Sequence, residues 1–132
     1  MRLRLLNRVV TKLYDDALRP LGVKTSQLNI VVVTARLGLA RPAEVCEHLQ
    51  MDASTLSRNV ERMMVKDWLE VVEDDDGRAH PFRLTIKGRR LLERAMPAWE
   101  KAQEKVKKLI GVDTMASIDA AVLRIRSDKS NG

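Results

Sequence analysis

The chain has 132 residues and a mass of 15.0 kDa, which is enough for one domain that buries a hydrophobic core of its own. Aromatic residues make up only 3% of it, so the core must come mainly from aliphatic side chains, a composition that suits packed helices better than a β-sandwich. A net charge of +6 favours polyanionic partners. No apolar run approaches the ~20 residues of a membrane-spanning helix, and no export signal is recognisable at the N-terminus, so we expect a cytoplasmic protein.

The first two predicted helices occupy roughly residues 3–17 and 25–36. Apolar residues of the first recur at spacings of three and four and form one stripe: Leu3, Leu6, Val10, Leu13 and Ala17. Pro20 and Gly22 end this helix. The second helix directs inward Leu28, Val31, Val32 and Ala35, and its polar face consists of Gln27, Asn29 and Arg36. The helical spacing of that polar face favours a helix over a strand at 31–33, and Gly38 can end it.

The next two predicted helices are short and joined by a tight turn. Pro42 suits the first position of the earlier one, because an N1 residue needs no backbone N–H. Asp52, Ala53 or Ser54 lies close to the N-cap of the later one, which covers about 54–66. The apolar residues on the inner faces of the two helices are Val45, Cys46, Leu49, Leu56, Val60 and Met63. Two short helices joined by a tight turn predict a helix-turn-helix.

A β-hairpin is predicted next, with extended segments at 69–73 and 82–85 and a polar turn at 74–78. Pro81 cannot donate to a strand ladder, so the returning strand must be an edge or be irregular near its start. A small hairpin that follows a helix-turn-helix is a wing. The predicted fold is therefore mainly α with a small β-hairpin wing, a winged helix-turn-helix with terminal dimerisation helices.

From about residue 86 to 110 the chain returns to helix, with a coiled-coil-like seam formed by Leu92, Ala95, Trp99, Ala102, Val106 and Leu109. Pro97 lies inside this helix and should bend or break it. Gly111 ends it. A last helix is marked by Met115, Ile118, Val122 and Ile125, and we expect the polar tail after it, residues 127–132, to be disordered.

The apolar stripes at the two chain ends can cover one another only partly within so small a chain. A second copy would cover them, and a two-fold dimer would present two recognition helices to successive major grooves of a pseudo-palindrome. The alternative is that the terminal helices pack on the central part. We divide the single domain, 1–132, into a DNA-binding lobe at about 25–85 and dimerisation helices at about 1–20 and 86–126.

The helix at 54–66 is the strongest candidate for a functional surface. Its outward residues are Ser54, Thr55, Ser57, Arg58, Glu61 and Arg62. The N-terminal end of such a helix enters a major groove. Hydroxyl groups reach base edges or phosphates there, and Arg58 or Arg62 can bond a guanine bidentately or hold a phosphate. An ordinary solvated helix face fits the same residues.

The predicted wing tip carries a second candidate. Arg78 projects from the polar turn, and a basic residue at a wing tip can enter the minor groove. Asp76 lies two residues earlier and can hold the guanidinium of Arg78 by a bidentate pair. An ordinary polar turn is the alternative, and the acidic run at 73–76 together with Glu70 should weaken nonspecific DNA affinity.

Further basic residues can clamp phosphates. Lys87, with Arg89 and Arg90, follows the wing, and Lys24 and Thr25 open the second helix. For each of them, solvated surface is the simpler interpretation. Basic residues near a helix N-terminus oppose the helix dipole, which slightly favours a functional explanation.

Enzyme function lacks the necessary residues. His48 and His80 lie far apart without a metal-ligand spacing, and the lone Cys46 lies on an apparent core face. No glycine-rich phosphate loop is present. We therefore expect no catalytic residue, no metal and no cofactor, and we interpret Cys46 as a small core residue in preference to a redox sensor.

Residues 42–49 and 51–58, followed by residues 66–70, carry a resemblance to the multiple-antibiotic-resistance regulator family, MarR, that extends over nearly the whole chain. The first two segments are similar to that family's helix-turn-helix, and residues 66–70 to the passage into its wing. The wing signature is an Asp-x-Arg followed by Leu-Thr, matched here by residues 76–78 and 84–85, with Gly88 next in place. Asp67 departs from the pattern, since a helix-ending Gly is common there, but Asp tolerates a left-handed conformation.

The resemblance implies an α/β winged-helix homodimer that binds double-stranded DNA through Ser54, Thr55, Ser57, Arg58 and Arg62. It further implies that Arg78 enters the minor groove, that Asp76 orients it, and that the protein is a repressor relieved by a small ligand. In this family an effector pocket tends to lie between the dimerisation helices and the DNA-binding lobe. Tyr14, Met96 and Trp99 are the residues we expect to line a pocket for a small hydrophobic or phenolic effector, with plain core as the alternative.

Two other functions fit the same sequence. A winged helix can serve as a protein-interaction module with the acidic wing as its docking surface, or as an architectural DNA binder without an effector. Arg78→Ala separates the regulator from the interaction module, because only the regulator should lose DNA binding.

Overall fold

The computed structural model describes residues 1–73 and 80–131, with side chains to residue 128. The helices are α1 (Arg2–Leu18), α2 (Thr25–Leu37), α3 (Pro42–Leu49), α4 (Ala53–Val65), α5 (Ile86–Ile110) and α6 (Val112–Asn131). A short 3₁₀ helix at Arg19–Leu21 links α1 to α2, and strands β1 (Leu69–Val71) and β2 (Phe82–Leu84) form the hairpin. The predicted winged helix-turn-helix between terminal helices is confirmed.

The core of the predicted DNA-binding lobe is formed by α2, α3, α4 and the hairpin, together with Leu18 of α1 and with Leu91 and Ala95 of α5. Its fully buried members include Leu28, Ile30, Val45, Leu56, Met63 and Phe82. One prediction about α2 was wrong: Gln27, assigned to the polar face, is buried, and its side chain accepts a hydrogen bond from the backbone N–H of Lys24 at 3.1 Å. That bond satisfies a free amide at the start of α2, which makes burial of the polar side chain tolerable.

The hairpin is short and antiparallel. Leu69 pairs with Leu84, Glu70 with Arg83, and Val71 with Phe82. Strands were predicted to extend further, to residues 73 and 85. β1 ends at Val71 because Pro81, opposite Val72, has no N–H to donate, and β2 ends at Leu84 because Thr85 is already the N-cap of α5. Ala40 joins the outer edge of β2 by exchanging two backbone hydrogen bonds with Phe82, at 2.8 and 2.9 Å.

Two residues at the base of the wing are conformationally special. Asp67 has a φ of 61°, the left-handed conformation expected from its place at a helix end. A Cβ on Gly88 would lie 2.2 Å from the carbonyl oxygen of Trp68, so only glycine allows α5 to approach the hairpin so closely. The start of α5 is thereby fixed against the wing.

The terminal helices differ from the predictions at three points. α5 continues through Pro97 without a break, since a single proline removes one backbone hydrogen bond. The seam of α5 buries Ala95, Ala102 and Val106, whereas Leu109 is exposed. α6 runs to Asn131, through the tail that was expected to be disordered, because polar residues without Gly or Pro do not end a helix. Among the described helices, none is long and apolar enough to cross a membrane.

Candidate nucleic-acid interface

Helix α4 begins at a capped N-terminus. The Oδ1 atom of Asp52 accepts a hydrogen bond from the backbone N–H of Thr55 at 2.7 Å and one from the hydroxyl of Ser54 at 3.2 Å. Hydrogen bonds from Thr55 are the main cause that holds the pKa of Asp52 below its usual range. The ionised carboxylate at this position also favours the helix dipole.

The outer face of α4 is open to solvent where the sequence predicts DNA contacts. Ser54, Ser57, Arg58 and Arg62 are exposed and Thr55 is half-buried. On the opposite side Leu56 and Met63 are 2% and 0% exposed, so the core fixes the rotation of the helix about its axis. The predicted contact residues on α4 therefore lie together on one face of a firmly anchored helix.

Thr55 organises its neighbours on that face. Its hydroxyl accepts a long hydrogen bond from the guanidinium of Arg58 at 3.4 Å, and its carbonyl accepts one from the side-chain amide of Asn59 at 3.1 Å. Asn59 was not named in the sequence analysis. Its side chain is half-buried beside the apolar positions of α4, and the sequence pattern does not distinguish it from them. The bond from Thr55 gives the Arg58 side chain a preferred direction without burying it.

The wing carries an ion pair that reduces its acidic load. Arg83 donates to the carboxylate of Glu70 at 2.7 Å, across the strand pair that places the two residues opposite each other. Both side chains are about half exposed, so the pair is worth little in stability, but it offsets one of the negative charges that the sequence places near DNA. Asp76 and Arg78, the predicted tip residues, lie outside the described residues.

Lys87 belongs to a basic surface that continues from α4. It lines a cleft of about 380 Å³ together with Lys66, Arg90 and Arg94. Lys66 also lines a neighbouring cleft of about 350 Å³ with Lys24 and Arg62. Basic side chains thus extend from Arg62 on α4 to Lys87 at the start of α5, an arrangement that suits successive phosphates of one strand.

Thr25 does not have the freedom that a phosphate clamp needs. Its hydroxyl and its backbone N–H both donate to Oδ1 of Asp15 on α1, at 2.6 and 2.8 Å. No sequence signal indicates this contact, because Asp15 lies ten residues earlier and in another helix. In this structure a phosphate at Thr25 would have to displace the carboxylate.

A sequence model described as MarR family matches residues 21–79. The multiple antibiotic resistance protein MarR of Salmonella typhimurium is 25% identical over 124 residues, which cover 92% of this chain and 85% of that protein. The chain therefore resembles the MarR family of regulators, with the family match centred on residues 21–79. It is accordingly a DNA-binding transcription regulator and not an enzyme.

Solved MarR-family structures have the same fold. The transcriptional regulator MosR of M. tuberculosis, solved in complex with DNA, is 28% identical, with 98% of this chain and 95% of that chain covered and a TM-score of 0.82. A mutant of E. coli MarR complexed with operator DNA is 18% identical, with 93% and 89% covered and a TM-score of 0.81. The second likeness establishes the fold alone.

The residues suggested for an effector pocket are only partly together. Tyr14 on α1 stacks on Trp99 of α5, with ring centroids 4.1 Å apart and planes inclined by 23°. Burial raises the pKa of the Tyr14 hydroxyl above its ordinary value. Met96 is exposed. Ala102 and Val106 complete the apolar cluster around Tyr14, which lies beside the core of the lobe.

The described residues include no group of three or more His, Cys, Asp and Glu side chains that could hold a metal ion. Cys46 is half-buried on α3 and packs against the lobe core, as does Leu49 three residues later. Its surroundings are those of a small core residue, in line with the interpretation made from the sequence.

Proposed function

We propose that the protein acts as a homodimer that binds a pseudo-palindromic operator in double-stranded DNA, and that it represses transcription until a small effector binds. The observation that carries the proposal is the exposed polar and basic face of α4, held on a buried core and capped at the end that enters a groove. MosR and E. coli MarR, both solved with DNA, support the same use of the fold. Such a protein works in the cytoplasm, where its DNA is.

Each candidate residue has a distinct role in this proposal. Ser54, Thr55, Ser57, Arg58 and Arg62 contact bases and phosphates of the major groove. Arg78 enters the minor groove, and Asp76 orients its guanidinium. Lys87 binds a flanking phosphate, for which its neighbours Lys66 and Arg90 supply additional positive charge.

The dimer follows from the uncovered apolar side chains of the terminal helices. Residues on α1, α5 and α6 that are well exposed in the single chain are Leu3, Leu5, Val9, Leu109, Val112, Ile118, Val122, Leu123 and Ile125. Apolar residues concentrated on two chain ends mark an interaction surface. A second copy covers the same surface on both subunits and sets the two α4 helices in two-fold symmetry.

The effector is proposed to be a small hydrophobic or phenolic molecule that binds near the Tyr14–Trp99 stack. The stack joins α1 to α5 and adjoins the lobe core, to which Trp99 also contributes. A molecule inserted there would separate dimerisation helices that carry the two lobes. The proposed interior of the pocket is aromatic, which suits a flat apolar ligand.

The test is selection of binding duplexes from a randomised pool at physiological salt, followed by affinity measurement with wild type and Arg78→Ala. We expect a pseudo-palindrome to be enriched and Arg78→Ala to bind it much more weakly, whereas Lys101→Ala, a control at an exposed basic residue farther along α5, should bind it almost normally. No enrichment above competitor DNA would contradict the proposal and favour the protein-interaction module. Tight binding without any sequence preference would favour the architectural DNA binder.

A further inference from the structure

The connector between α1 and α2, residues 19–24, is the point where the chain passes from a dimerisation helix into the DNA-binding lobe. It has its own apolar anchor, since Val23 is 3% exposed. Two side chains from other elements also hold the connector and the first residue of α2 by hydrogen bonds. The first tie joins α1 to Thr25, where α2 begins, and the second joins the end of α4 to Gly22 in the connector.

The first tie is a carboxylate that caps a helix from outside. The N-cap residue of α2 is Lys24, whose ammonium group cannot accept a hydrogen bond from a free amide. Asp15 supplies the missing acceptor, with Oδ1 at 2.8 Å from the backbone N and 2.6 Å from the hydroxyl of Thr25. Its negative charge lies at the positive end of α2. Both bonds have this carboxylate as acceptor, so they are of the stronger, charge-assisted kind, and both are partly buried.

The second tie connects the same connector to α4. Lys66, which follows the last residue of α4, donates from Nζ to the carbonyl oxygen of Gly22 at 2.7 Å. Its ammonium group also lies 4.8 Å from the ring centroid of Trp68, a buried residue that precedes β1. Gly22 has a φ of 71°, so the chain turns sharply at the point where Lys66 holds it.

We infer that Asp15, Thr25 and Lys66 set the angle between the dimerisation helices and the DNA-binding lobe, and thereby determine which spacing of operator half-sites the dimer accepts. The inference rests on the proposed dimeric function. In a two-fold dimer, a rotation at this connector moves both α4 helices relative to each other, so their separation follows from the angle. Half-sites about one helical turn apart, roughly 34–36 Å, fit only if that separation is fixed.

The neighbouring residue Asp16 provides a matched control. It pairs with Arg19 on the exposed side of the same helix turn, and therefore ties α1 only to the 3₁₀ helix that follows it. Asp16→Ala removes the same carboxylate from the same helix as Asp15→Ala, without touching α2. Thr25→Val removes the hydroxyl while keeping the shape of the side chain, and Thr25→Ser keeps the hydroxyl.

The experiment measures Kd by fluorescence anisotropy for three duplexes: the selected operator, the same operator with one base pair added between its half-sites, and a single half-site. Wild type should prefer the selected spacing. In Asp15→Ala and Thr25→Val that preference should fall about tenfold, while the affinity for the single half-site changes less than about twofold. Lys66→Met should lose the same preference together with some half-site affinity, because Lys66 also lines the basic cleft. Asp16→Ala and Thr25→Ser should keep the wild-type preference.

Preserved spacing preference in both Asp15→Ala and Thr25→Val would overturn the inference and leave the proposed function standing. Parallel losses on the half-site and on the operator would also overturn it, because they would mean that the bonds only stabilise the lobe. Wild-type protein that shows no preference between the two spacings would overturn the dimeric function, and this inference with it.

Discussion

The DNA-binding lobe of this MarR-like chain buries its apolar residues, whereas the terminal helices leave many of theirs exposed. In the lobe, the inward residues Leu28, Val45 and Leu56 are between 0% and 2% exposed. On the last helices, Leu109 is 58% and Ile125 is 54% exposed, although both lie at predicted apolar positions. The lobe therefore completes its core within one chain, whereas the terminal helices do not.

This difference separates two sources of stability. Burial within one chain stabilises it at any protein concentration, whereas burial between chains stabilises by mass action and depends on concentration. Substitutions in the two regions should therefore be distinguishable in solution. Five predictions follow the comparison, from the largest expected effect to the smallest.

Leu56→Ala should lower the free energy of unfolding by about 2–5 kcal/mol, because it leaves a cavity among fully buried neighbours in the lobe. The loss should be the same at low and high protein concentration if the lobe closes its own core. Thermal and denaturant unfolding monitored by circular dichroism measure it, with Met64→Ala, at an exposed position of the same helix, as the control. A loss below about 1 kcal/mol would mean that Leu56 is not part of a sealed core.

Ile118→Glu should weaken dimerisation by at least about 100-fold, since an unpaired carboxylate desolvated at an interface costs on the order of 3 kcal/mol. The monomer should keep its helical content, because Ile118 is 38% exposed in the single chain. Sedimentation equilibrium measures the change. Ala120→Glu, about half a turn away on the same exposed helix, should dimerise normally; equal behaviour of the two variants would place the interface elsewhere.

Arg58→Ala should cost about 1–3 kcal/mol in operator affinity and relax the preference at one base position. The dimer mass should not change, since Arg58 lies on the lobe and is exposed. Competition among operator variants, each with one base pair replaced, measures the effect. Uniform weakening across all variants would instead assign Arg58 to a phosphate.

Lys87→Gln should lower the slope of log Kd against log salt concentration by about 1, the value for one lost phosphate contact. The preference among operator sequences should stay as in wild type. Titrations at four or more salt concentrations measure the slope, and Lys101→Gln, at an exposed position farther along α5, is the control. An unchanged slope would remove Lys87 from the DNA surface.

Asp52→Ala should destabilise the protein slightly at neutral pH by removing the N-cap of α4. The folded-state pKa of Asp52 is lowered, so its contribution exists above the unfolded-state pKa and is lost as pH falls through the folded value. The difference in Tm from wild type should therefore close in acid below the ordinary aspartate pKa of about 3.9. Asp52→Asn still caps the helix and should resemble wild type at neutral pH; a difference for Asp52→Ala that persists in acid would argue against the charged cap.

Local sequence signals predict the elements of the fold. Pro42 and the Asp52 region mark helix starts correctly, and the spacing of Leu56, Val60 and Met63 orients α4. Errors arise where residue type alone decides the prediction. Gln27 is polar but buried, where its side chain accepts the backbone N–H of Lys24, and α6 runs past residue 127 although its composition resembles a tail.

The candidate DNA surface on α4 was also predictable from local signals, because it is the helix face opposite the apolar stripe. The hydrogen bonds at the connector were not predictable in this way. Asp15 and Thr25 meet only after α1 and α2 have packed, and Lys66 reaches Gly22 across 44 residues of sequence. Such contacts leave no periodicity in the sequence.

Light scattering of the protein bound to its selected operator tests whether the terminal helices join two DNA-binding lobes. We expect a complex of two chains of 15.0 kDa with one duplex. Ile118→Glu should bind a duplex that carries one half-site as a single chain. A wild-type complex with one chain per full operator would contradict the proposed dimer, because the terminal helices would then not join two DNA-binding lobes.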